Sequence, residues 1–98
     1  MKRFMLFNQD EEPICELEYD KFNAAVIELG SGYYVVNIVP HADGRSYPTA
    51  VYRDVVEAAQ AVQELRDFAF AVTTENQGFA MPISDEPVTP LEIVDLLT

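Results

Sequence analysis

Apart from its carboxylates, this chain carries few residues of the types that do chemistry. Among 98 residues there is one histidine, His41, and one cysteine, Cys15. A Cys–His or Ser–His nucleophile would need His41 brought against Cys15, Ser31, Ser46 or Ser84, and no local spacing does this. His41 stands in Pro40-His41-Ala42-Asp43-Gly44, a turn signature. Cys15 alternates with Leu17 and Tyr19, which places the thiol on a buried strand face where it is usually inert. Zinc requires several Cys or His ligands at short spacing, and the chain offers two such residues in all. Neither Asp10-Glu11-Glu12 nor Asp85-Glu86 has the alternating oxygen ligands and glycine of a calcium loop. Gly30-Ser31-Gly32 leads into a strand pattern and not into a helix, so it is not a phosphate cradle. The expectation is a protein that binds and does not catalyse, with no cofactor and no metal.

The carboxylates are another matter. Seventeen acidic residues face six basic ones, for a formal net charge of −11. Six of the acids fall between residues 10 and 20: Asp10, Glu11, Glu12, Glu16, Glu18 and Asp20, with no basic residue before Lys21. On an extended strand Glu16, Glu18 and Asp20 project from one face, about 6.6–6.8 Å apart. Phosphates along one DNA strand advance about 3.4 Å per nucleotide, so such a row matches every second step. Glu28, on the strand that follows, is expected to widen the row sideways. The chemistry this implies is a carboxylate ladder that imitates a nucleic-acid backbone and occupies a row of Lys and Arg on a protein partner. The plainer reading is a solvated face that guards a sheet edge against aggregation. Tyr33 and Tyr34 are adjacent, so one of them points outward and offers a second contact surface.

Charge also excludes partners. A field of this sign repels nucleic acid and anionic membrane surfaces. The basic residues Lys2, Arg3, Lys21, Arg45, Arg53 and Arg66 are scattered and form no stripe. No run approaches the roughly 20 apolar residues of a membrane span. The Lys2-Arg3 pair is not followed by an apolar run of signal-peptide length. A lone cysteine allows no disulfide within the chain. A cytoplasmic accessory protein of bacterial or phage type, acting as an inhibitor of a basic partner, is therefore expected. The alternative is a homo-oligomeric assembly module that pairs through an edge strand or its apolar C-terminal segment.

The elements that must position these residues follow from periodicity. The length is that of one domain, residues 1–98, and the apolar fraction of 49% is ample for a core. Residues 3–8, 14–20, 24–29, 33–39 and 47–52 read as strands, with Pro48 confining the last to an edge or to a late start. Asp54 with Glu57 resembles a capping box. From there Val55, Ala58, Ala59, Val62, Leu65, Ala69 and Val72 recur at helical spacing over about 17 residues. Residues 73–88 read as a loop with a short strand at 79–83. Thr89-Pro90-Leu91-Glu92 starts a short apolar C-terminal helix. The fold class expected is α+β: an antiparallel sheet of four to five strands packed against one long helix, with a short C-terminal helix.

Overall fold

The computed structural model describes residues 3–19, 21–30, 32–72 and 77–84. Asp20 and the C-terminal helix expected from Thr89 onward lie outside the described residues. The elements run β1 (Arg3–Phe7), β2 (Pro13–Glu18), β3 (Phe22–Leu29), β4 (Tyr33–Pro40), β5 (Tyr47–Tyr52), α1 (Val55–Ala71) and β6 (Gln77–Ala80). The α+β class holds. The single antiparallel sheet does not: there are two sheets of three strands, ordered β2-β1-β6 and β3-β4-β5, and β6 runs parallel to β1.

The division follows from the turns. Asn8 closes the β1–β2 hairpin, its Oδ1 accepting from the backbone N–H groups of Asp10 and Glu12 at 2.9 Å each. Gly32 and Gly44 supply the positive φ values of 80° and 67° in the β3–β4 and β4–β5 connections. Between β2 and β3 there is no hairpin. The Lys21 N–H bonds to the Glu18 carbonyl, and the Lys21 carbonyl accepts from the His41 N–H. The chain therefore turns out of the first sheet and opens a second.

Both sheets feed one core. Phe4, Leu6 and Leu17 from the first meet Val36, Ile38, Ala50 and Tyr52 from the second, closed over by Ala58, Ala61, Leu65 and Ala69 of α1. Three alanines on the buried helix face let the backbone approach the sheets closely. Val55 and Ala59, expected on that face, lie on its flank and are exposed. Asp54 caps the helix, its Oδ1 accepting from the Val56 N–H at 2.8 Å. Glu57 accepts a hydrogen bond from the Ser84 hydroxyl, which ties the segment after β6 to the first helical turn. In β5 the register slips opposite Val36 and Asn37. The extra residue is Thr49, whose buried hydroxyl donates to the Val36 carbonyl at 3.0 Å. This bulge is what admits Pro48 to the strand.

Candidate functional site

The β1–β2 hairpin carries most of the acidic segment. Its register pairs Arg3 with Glu18 and Met5 with Glu16, while Phe4 pairs with Leu17 and Leu6 with Cys15. Because alternate residues of a strand share a face, Leu17 and Cys15 turn inward and Glu16 and Glu18 turn outward. The two glutamates do share a face, but they are not bare. Arg3 stands on the same face and forks across both, with Nη1 3.2 Å from Glu16 and Nη2 3.3 Å from Glu18. Sequence reading treated Arg3 as one of six scattered cations, and only the strand register brings it onto the row.

These three side chains form one wall of an open hollow of about 350 Å³, with Lys21 and His41 on the other side. Three cationic or titratable bases thus gather beside two of the ladder's carboxylates. Of these, Arg3 is the one that pairs with them among the described residues. His41 lines this hollow, whereas Cys15 lies on the core side of β2. Burial, with a smaller contribution from the Asp43 carboxylate, pushes the Cys15 thiol up to about 11, away from the thiolate a nucleophile requires. Asp43 itself is held below the usual carboxylate range, chiefly by the Tyr47 hydroxyl that donates to it at 2.7 Å.

The hairpin tip differs from the strand. Asp10, Glu11 and Glu12 are all exposed. None of them is paired with a basic side chain among the described residues. The tip is nevertheless well held. Besides the Asn8 turn, the Asn8 amide donates to Glu12 Oε1 at 3.3 Å, and Glu11 adopts a left-handed φ of 62°. Gln9 anchors the tip from below. Its side chain accepts from the Val51 N–H at 3.0 Å and donates to the carbonyls of Val51 and Pro82 at 3.3 and 3.1 Å. The tip thereby sits against β5.

Glu28 is not brought to this group. It lies on β3, in the other sheet, opposite Tyr34 and near the far end of the strand. Asp20 lies outside the described residues. No group of three or more His, Cys, Asp or Glu placed to hold a metal ion occurs among the described residues, and none of their helices is long and apolar enough to cross a membrane. The chain matches no known family model, no curated protein and no solved structure.

Proposed function

We propose that this protein acts by binding a protein partner through the acidic tip of its first hairpin, occupying a basic surface that serves nucleic acid. The observation that carries this reading is the pairing of exposure with rigidity at Asp10, Glu11 and Glu12. Three adjacent carboxylates without counter-ions among the described residues are costly to hold together, yet the Asn8 turn and the Gln9 anchor fix their backbone. A rigid anionic tip loses little conformational entropy on docking. Glu16, about half exposed at its side chain, continues the anionic surface along β2. Arg3 tempers the strand portion of the ladder, so the weight of the reading moves from the strand to the tip. With a net charge of −11, encounter with a basic partner is fast and salt-sensitive.

The test is capture of bacterial proteins by the immobilised chain at low salt, followed by binding kinetics with the purified captured protein. Reversal of the tip, Asp10→Lys with Glu11→Lys and Glu12→Lys, is expected to slow association by about tenfold or more. It should also abolish competition with DNA for that protein. Equal association rates for the wild-type and reversed chains overturn the proposal.

A further inference from the structure

The two sheets have four edges, and three are guarded. At β2 the edge carries Pro13 and the Glu16 and Glu18 carboxylates. At β5 the Gln9 side chain takes up both backbone groups of Val51, and the bulge at Thr49 breaks the strand. At β6 the edge is only four residues long. The fourth edge, β3, is eight residues long, without proline, bulge or basic residue, and Glu28 is its single charge. Ala25 is exposed on it and Ile27 is 42% exposed. Natural sheets rarely leave such an edge unprotected unless another strand pairs with it.

We propose that β3 pairs antiparallel with β3 of a second copy of this chain, joining two three-stranded sheets into one of six strands about a two-fold axis through Ala25. The choice of a second copy rests on charge complementarity. A two-fold axis normal to the sheet keeps the helix-bearing faces on one side, so only residues of the same face can stand opposite one another. Centred on Ala25, the register sets Phe22 of one copy against Glu28 of the other. The Arg66 guanidinium lies over the Phe22 ring, 5.5 Å from its centroid. Among the described residues Arg66 has no carboxylate partner within its own chain. Directly opposed strand residues have Cβ atoms about 4.5–5.5 Å apart, so the second copy's Glu28 comes within reach of Arg66, twice by symmetry. Centring one residue later sets Glu28 against Ala24, which offers no charge. Centring one residue earlier sets Glu28 beyond the start of β3, opposite no residue of the strand. The acidic tips stand away from the axis. Each is anchored at β5, two strands from the axis, and faces outward.

Sedimentation of the full chain over a wide concentration range tests the pairing. A monomer–dimer equilibrium is expected. Ala25→Lys sets like charges on the axis and should leave a monomer. Glu28→Arg and Arg66→Glu should each weaken the dimer by about tenfold. Combined in one chain, they restore the opposed charges and should bring the dimer back. Circular dichroism identical to wild type verifies that each variant is folded. A monomer at every concentration overturns the proposal, as does a dimer indifferent to Ala25→Lys or a double variant no stronger than the single ones. These outcomes are independent of the hairpin tip, which none of the substitutions touches.

Discussion

At Cys15 the fold decides the fate of a reactive group. The thiol is pushed up to about 11 from an ordinary 9.0, first by burial and then by Asp43. The folded protein therefore keeps a proton that the unfolded chain sheds, and stability falls with rising pH across that interval. The contribution is fully present below about pH 9 and is exhausted above about 11. Burial raises the Tyr52 hydroxyl in the same direction, and this hydroxyl donates to the Pro82 carbonyl at 2.6 Å. Denaturation midpoints are thus expected to decline from pH 9 to 11, and Cys15→Ser should flatten part of that decline. A slope unchanged by Cys15→Ser would remove the thiol from the account. The inward placement of Cys15 was readable from its alternation with Leu17. The proximity of Asp43 was not, because it lies 28 positions further along the chain, beyond the crossing between the sheets and the β3–β4 hairpin.

Among the elements, α1 was the most legible, and its length of 17 residues agrees with the helical period. A capping side chain and a run of alanines act within one or two turns, so they speak through local sequence. The last turn holds no basic side chain, which leaves the stabilising charge of the helix ends at its start, in Asp54 and Glu57. Asp54→Ala is expected to cost about 1 kcal/mol, measured as a lower urea midpoint at unchanged slope. A variant as stable as wild type would mean that packing alone sets the helix start. The first five strands were legible too, each within two residues at either end, and the sixth was expected at 79–83 but runs Gln77–Ala80, yet the strands' partners were not legible. Period two says which side chains share a face. It does not say which strand lies alongside, and for that reason Arg3 was missed and Glu28 was assigned to the wrong neighbour.

For the molecule as a whole, Gln9 is a polar side chain that helps to stitch the two sheets together, beside the Tyr52 hydroxyl. Gln9 reaches from the first hairpin to both backbone groups of Val51 in the second sheet and to the Pro82 carbonyl beyond β6. Nothing in its surroundings in the chain marks it, since it reads as one more polar residue in a turn. Gln9→Ala leaves partly buried backbone groups without this partner and is expected to cost about 1–3 kcal/mol. The Asp10–Glu12 tip should also loosen, seen as faster amide exchange there. Unaltered exchange at the tip would detach its rigidity from Gln9.

By itself the sequence determined the quantities that accumulate locally: a large negative charge, the α+β class, the capped helix, the alternation that sends Glu16 and Glu18 outward, and the turns at Gly32 and Gly44. Only the tertiary structure decided how the strands sort into two sheets, which cation meets the ladder, and which edge is left without a partner strand among the described residues. Those outcomes depend on contacts between residues far apart in the chain, and periodicity carries no information about such contacts until the turns and the shared core bring the strands side by side.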